Sequence, residues 1–151
     1  MEKIYQHILN CLNHNDDSSL PNVDILLNLA KNYSELTQYV KAIKILDTLI
    51  RLNDEDLECW YLLAFNHYSI QNYKHSYKCL KHFKTVSEKV SFKSNEILDL
   101  EDAAKELVAV LEDLKKNSED GELKNNNIED AEDNDEEKMM NNSNTSDMNL
   151  D

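Results

Sequence analysis

Two stretches of the chain decide its fold: residues 57–83 read LECWYLLAFNHYSIQNYKHSYKCLKHF, and residues 23–49 read VDILLNLAKNYSELTQYVKAIKILDTL. One superimposes on the other without a gap when it is slid by 34 residues. The large, small and aromatic positions coincide: Leu26, Leu29, Ala30, Tyr33, Tyr39, Ala42, Leu46 and Leu49 fall on Trp60, Leu63, Ala64, His67, Tyr73, Ser76, Leu80 and Phe83. Apolar spacings of three and four in each copy predict two amphipathic helices per repeat.

A period of 34 with this pattern is typical of tetratricopeptide repeats, in which helix pairs stack into a solenoid with a concave groove. We therefore predict an all-α solenoid with capping helices at both ends and a disordered acidic tail. The predicted boundaries are residues 1–22 for the N-terminal capping helix and its turn, 23–56 for repeat one, 57–90 for repeat two, 91–116 for the C-terminal capping helix, and 117–151 for the tail.

The turns inside the repeats lack glycine. Thr37-Gln38 precedes Tyr39 in repeat one, and Gln71-Asn72 precedes Tyr73 in repeat two. Repeats of this type usually have a glycine there, because it adopts a left-handed backbone at no steric cost. Some strain, or a slightly longer turn, is therefore expected at both places.

The charge is unevenly distributed along the chain. Twelve acids and two lysines between Asn117 and Asp151 give that segment −10, which leaves −4 of the total −14 for residues 1–116. Nucleic-acid binders usually carry the opposite sign, so we expect a basic protein partner and no direct nucleic-acid contact. The acidic run Glu129–Glu137 is either a solubilising segment or a shield for such a basic partner.

Several function classes find no support in the composition. With Gly121 as the only glycine, no phosphate-cradling loop is present, and no nucleophile or acid pair is arranged for catalysis, so we expect neither an enzyme nor a cofactor. His75, Cys79 and His82 lack a fourth ligand, so no metal site is expected. Cys59 is expected to be a small core residue, and all three cysteines to be reduced thiols. No apolar run suits a signal peptide or a membrane span, which favours a cytoplasmic and nuclear protein.

The candidate binding site lies on the first helices of the two repeats. Tyr61, Phe65 and Tyr68 share one stripe of helix A in repeat two, which by analogy with the fold lines the concave groove. The neighbouring groove positions are Asp24, Leu27, Lys31 and Glu58. Aromatic side chains flanked by acids suit an extended peptide that carries Arg or Lys and apolar residues. Alternatively, the C-terminal helix folds back and buries the stripe as core. Trp60 is expected to point inward as the main wedge of repeat two.

Residues 54–89 also resemble a particular family. An acidic linker, then Glu58-x-Trp60-Tyr61-Leu62-Leu63, a further aromatic and a Leu- and Glu-rich last helix (LEDAAKELVAVLEDLKK) are similar to the last repeat of the assembly chaperones of large-subunit ribosomal protein four. Ala64 stands where those proteins have glycine.

The resemblance implies a dedicated chaperone that covers the basic internal loop of a newly made ribosomal protein and escorts it from the cytoplasm to nuclear ribosome assembly. The alternative is a general tetratricopeptide-repeat adaptor or scaffold subunit that docks a helix or peptide of another complex. An acidic groove with exposed aromatics favours the basic client, and an apolar, uncharged groove favours helix docking.

Overall fold

The computed structural model describes residues 1–120, and these residues form helices and turns without a strand. The helices are α1 (Glu2–Asn13), α2 (Val23–Glu35), α3 (Tyr39–Leu52), α4 (Leu57–Ser69), α5 (Tyr73–Lys89) and α6 (Asn95–Asp120), with a single 3₁₀ turn at Asp17–Ser19. The prediction of an all-α fold is confirmed. Residues 121–151, which hold most of the predicted tail, lie outside the described part of the chain.

The two helix pairs α2/α3 and α4/α5 repeat at the predicted period. Helix α2 packs against α3, α4 against α5, and α3 joins the pairs by packing against α4. Equivalent positions are buried in both pairs, as with Leu29 at 4% exposure and Leu63 at 4%, or Ala30 at 1% and Ala64 at 0%. One continuous apolar core therefore runs through both pairs.

Side-chain caps fix where the first helix of each pair begins. The Asn22 carboxamide oxygen accepts from the Asp24 N–H at 2.9 Å, and the Asp56 carboxylate accepts from the Cys59 N–H at 3.0 Å. Each cap satisfies one of the amides that a helix leaves without an intrahelical partner. In the acidic linker before the second pair, the capping residue is Asp56.

The first helix of each pair ends in the same left-handed turn. Thr37 has φ 58° and Gln71 has φ 61°, the region that favours glycine. At the first turn, the Gln38 N–H donates to the Tyr33 carbonyl at 2.8 Å and the Thr37 N–H donates to the Ser34 carbonyl at 3.0 Å. Gln71 and Asn72 repeat this pair of bonds 34 residues later. This is the Schellman arrangement, and the predicted strain is present at both turns.

Helix α1 covers the outer side of the first pair. Its buried residues are Tyr5, Ile8 and Cys11. The Tyr5 and Tyr33 rings meet edge to face with their centroids 5.5 Å apart, and the Lys41 ammonium lies over both rings at 5.4 and 5.3 Å. Such contacts add to the burial of the rings themselves.

Helix α6 begins at a side-chain cap. The Ser94 hydroxyl accepts from the Ile97 N–H at 3.4 Å, and Ala104, Leu107 and Leu111 join the core. The helix continues to Asp120, so residues 117–120 are helical where the sequence predicted the start of the tail. The chain divides into two compact units at a point within this helix: the first is Met1–Leu111, and the second begins at Glu112.

Trp60 lies differently from the prediction. Its indole stacks on the His82 imidazole with ring centroids 4.6 Å apart, and its Nε1–H donates to the Asp54 carbonyl at 2.7 Å. The side chain is half-buried at the edge of the core rather than inside it. Indole keeps its N–H hydrogen-bonded wherever it can, and an outward lean lets it reach the linker.

Candidate peptide-binding groove

The candidate groove lies between the first helices of the two pairs. Lys31 on α2 and Glu58 on α4 join the helices through an ion pair, with Nζ and Oε1 2.5 Å apart. Both side chains remain more than a third exposed, so the pair orients the helices more than it stabilises them.

A shallow depression of about 310 Å³ opens beside this ion pair, and its lining residues are Lys31, Ser34, Glu35, Tyr61, Leu62 and Phe65. We call it the α2/α4 depression. Its apolar contribution comes from α4, since Tyr61 and Phe65 lie one helical turn apart and Leu62 lies beside Tyr61. Phe65 is 37% exposed, so part of its side chain is available to a ligand.

The predicted site residues separate into two groups. Tyr61, Phe65 and Lys31 line the depression together, and Glu58 contacts it through Lys31. The other three lie elsewhere, for different reasons.

Leu27 is half-buried against the core, and Asp24 is exposed in the first turn of α2 without lining the depression. Tyr68 packs on Tyr73 at the α4/α5 turn, with ring centroids 5.8 Å apart, and contributes to the edge of the core. The expected three-residue aromatic stripe is therefore a two-residue one. Tyr68 lies on nearly the same helical face as Tyr61, but two turns further along the axis, where it packs on Tyr73 at the α4/α5 turn.

Sequence reasoning missed three lining residues, which are Ser34, Glu35 and Leu62. The signal was present, because Ser34 and Glu35 follow Lys31 by three and four residues on the same face of α2. Glu35 is exposed and gives the depression an acidic rim.

Helix α6 approaches Tyr61 without covering Phe65. Burial raises the pKa of the Tyr61 hydroxyl, and the Glu106 carboxylate on α6 raises it further. Tyr61 is half-buried against the core, and the alternative in which the C-terminal helix buries the aromatic stripe stays a prediction. Phe65 remains partly exposed.

From α2 to α6, helices of net negative and net positive charge alternate along the chain. Helices α2 and α4 together contain one lysine and three acids, Asp24, Glu35 and Glu58, for a net charge of −2. Residues 95–111 of α6 carry five acids and one lysine, for a net −4. Helices α3 and α5 carry eight lysines and arginines and two acids, for a net +6. The helices beside the depression are thus acidic, although the first unit as a whole is nearly balanced.

In the second helix pair, burial shifts the pKa values of His67, Cys59 and Cys79. His67 and His75 stack with centroids 5.3 Å apart, and burial lowers the pKa of His67 to about 4. Burial also raises the pKa of Cys59 and of Cys79 to about 12, so both thiols stay protonated. His75 and His82 are both exposed, and His82 stacks on Trp60 as His75 does on His67. Within residues 1–120 no group of three or more His, Cys, Asp or Glu side chains is placed to hold a metal ion.

Comparison with known proteins adds nothing to this description: no family model, no curated protein and no solved structure matches the chain. In the part of the chain that the structure describes, no helix has the length and apolar character needed to cross a membrane.

Proposed function

We propose that the two helix pairs are tetratricopeptide repeats and that the protein is a dedicated chaperone for a basic client. The α2/α4 depression would bind an extended segment rich in Arg and Lys. In line with the resemblance of residues 54–89, the client is a newly made large-subunit ribosomal protein, with protein four as the first candidate. The chaperone would escort it from the cytoplasm to ribosome assembly in the nucleus.

One observation carries this proposal: the partly exposed Phe65 side chain lies in a depression beside acidic residues. Phe65 and Tyr61 form the apolar part, Glu35 stands at the rim, and Glu106 lies near Tyr61. Basic side chains bind well over aromatic faces, and a nearby carboxylate orients the cation. The two rings are expected to contribute most of the affinity, because binding energy concentrates on desolvated aromatic residues.

The acidic helices and the acidic C-terminal sequence would act at longer range. A basic client approaches a net −14 chain faster at low ionic strength, and this gain fades as salt shortens the Debye length to about 8 Å at 0.15 M. The proposal therefore separates an aromatic contribution to the dissociation rate from an electrostatic contribution to the association rate.

A second candidate has one observation in its favour. The Lys31 charge is already neutralised by Glu58, and the floor of the depression is apolar. A neutral amphipathic helix could place a leucine or phenylalanine there, as an adaptor or scaffold subunit would require. This remains the alternative proposal.

The test is binding of the purified internal loop of ribosomal protein four to the full chain, followed by stopped-flow fluorescence. Tyr61→Ala with Phe65→Ala should raise the dissociation rate by tenfold or more, as is typical when two aromatic anchors are lost, and the effect should persist at high salt. Val40→Ala with Ile70→Ala is the matched control, because both residues are exposed apolar side chains outside the depression.

Two results would count against the proposal in different ways. If the double aromatic variant held the loop as tightly as the parent did, the depression would not be the binding site. If the parent bound a neutral amphipathic helix and ignored the basic loop, the adaptor would replace the chaperone.

A further inference from the structure

The α2/α4 depression carries a charge that no other part of the described chain neutralises. Lys31 and Glu58 neutralise each other through the ion pair between Nζ and Oε1 at 2.5 Å. Glu35, which also lines the depression, is exposed and forms neither an ion pair nor a side-chain hydrogen bond with any of residues 1–120. The uncompensated charge of the depression is therefore negative, and it lies on Glu35.

Glu35 is an unfavourable residue for the helix that carries it. It is the last residue of α2, and the last turn of that helix holds no basic side chain. The carbonyl end of a helix has a partial negative charge, so a carboxylate there is destabilising and a cation is attracted. In the second repeat the equivalent residue is Ser69, whose hydroxyl donates to the Phe65 carbonyl at 2.9 Å. The fold of the repeat thus does not require an acid at this position.

Helix α4 supplies the apolar side of the same depression. Tyr61, Leu62 and Phe65 line it, and the Phe65 side chain is partly exposed. The volume of about 310 Å³ is at the lower end of the range for small-molecule sites, which is roughly 300–1,000 Å³. The depression therefore has room for one long side chain of a client, between a carboxylate from α2 and aromatic residues from α4.

A guanidinium suits these surroundings better than an ammonium does. The guanidinium is planar and weakly hydrated, so its face can stack on an aromatic ring while its edge donates two parallel hydrogen bonds to a carboxylate. The lysine ammonium is a compact, strongly hydrated point charge, and it loses more hydration when it leaves water. The methylene groups of an arginine would also cover the apolar Leu62 side chain.

We infer that the α2/α4 depression is a site for a single arginine side chain, and that Glu35 makes it prefer arginine to lysine. The inference rests on the proposed function, because it names the client residue that enters the depression. The Glu35 carboxylate would accept from the guanidinium, and the Phe65 ring would stack on it. A leucine or phenylalanine, which an adaptor would dock here, would instead leave the Glu35 carboxylate partly desolvated without a partner.

The test compares two labelled peptides of equal charge and of about 12 residues, one built from repeats of Gly-Arg-Ser and the other from repeats of Gly-Lys-Ser. Their binding to the full chain is followed by fluorescence anisotropy at about 50 mM salt. The arginine peptide should bind about fivefold more tightly than the lysine peptide. Glu35→Gln should bring this ratio close to one. Glutamine keeps the helix propensity of glutamate, and loss of a carboxylate from the last turn of α2 should not destabilise the helix.

The matched control is Asp24→Asn, which removes the same charge from the same helix outside the depression. It should weaken both peptides slightly and equally, and so preserve the ratio. Phe65→Leu keeps the depression apolar but removes the ring, and it should also lower the ratio. Because the two peptides carry the same charge, the ratio does not respond to the net charge of the variant.

The inference is overturned if the parent binds neither peptide, if it binds both equally, or if Glu35→Gln leaves the ratio unchanged. Failure of the chaperone proposal has a different signature. In that case the arginine preference and its dependence on Glu35 would be present, which supports the inference, yet the internal loop of ribosomal protein four would not bind. If the loop bound equally well after lysine replaced all its arginines, the chaperone would stand and the arginine site would not.

Discussion

At the scale of single residues, the two copies of the repeat can be compared position by position. Thr37 and Gln71 hold the same left-handed turn with the same pair of hydrogen bonds, and neither is a glycine. For residues with a Cβ this conformation costs roughly 1–2 kcal/mol, and a β-branched residue suffers most. The sequence predicted the strain, because the absence of glycine could be read directly.

Replacing these residues with glycine should stabilise the protein. Thr37→Gly and Gln71→Gly should each raise the free energy of unfolding by about 0.5–1 kcal/mol, since relief of strain exceeds the added chain entropy. Thr37→Gly should gain more. Urea denaturation of the two single variants and of the double variant measures this, and the two gains should add because the sites share no partner. A loss of stability in either variant would mean that its turn carries no strain.

His67 occupies the position that Tyr33 fills in the first repeat. Its Nδ1 is buried without a hydrogen-bond partner, it stacks on His75, and burial lowers its pKa to about 4 from an ordinary 6.5. Between pH 6.5 and pH 4, His67 therefore binds a proton in the unfolded chain but not in the folded chain. Through His67, the free energy of unfolding therefore falls as the pH drops through this window, and this contribution does not change above pH 7.

His67→Tyr should flatten this acid loss. For a half-buried group the pH-dependent contribution should be about 1–2 kcal/mol, after allowance for solvent screening. Urea midpoints at pH 7 and pH 5 measure it, with the exposed His14→Asn as the control. If the parent and the His67→Tyr variant lost stability equally on acidification, other groups would govern the pH response.

At the scale of helices, the sequence predicted the elements well and the site less well. The repeat period and the apolar spacing located the helices α1 to α6 along the chain, because such spacing is a local signal. Tyr68 and Asp24 could not be excluded from the site in the same way, since their surroundings depend on neighbouring helices. The prediction that Trp60 points inward was wrong for the same reason. Its partners, the Asp54 carbonyl and the His82 ring, are brought to it by the tertiary structure.

The sequence also predicted an end of α6 that is four residues too early, at residue 116 rather than Asp120. Lys115 and Lys116 read as a helix end followed by a polar tail, yet the helix continues to Asp120. Apolar spacing locates the buried part of a helix, and it gives no signal for exposed turns beyond that part.

At the scale of the whole molecule, the first part of α6 completes the apolar core of the first unit. Ala104, Leu107 and Leu111 belong to the core of the first unit, and the Glu101 carboxylate accepts hydrogen bonds from the Ser87 hydroxyl and the Lys93 ammonium. A stack of helix pairs needs such a covering helix at its open end. Glu112 and the residues after it belong to the second unit.

Two truncations should therefore behave differently. A chain that ends at Leu111 should unfold cooperatively within a few degrees of the full chain. A chain that ends at Ser94 should lose about 3–6 kcal/mol, from exposing core leucines and their partners, which is much of the stability of a domain this small. Thermal melts followed by circular dichroism compare the two. A Ser94-terminated chain as stable as the parent would mean that α6 covers nothing.

The outward position of Trp60 gives this protein a natural optical label. Trp60 is the only tryptophan in the sequence, and its ring contacts α5 through His82. Its fluorescence therefore reports on the second helix pair, whereas far-ultraviolet ellipticity sums over all the helices. If the two transitions coincide in urea, both pairs unfold as one cooperative unit, and if fluorescence changes at a different concentration, the pairs come apart one at a time. Because Trp60 adjoins Tyr61, the same label can follow occupation of the depression without any added dye.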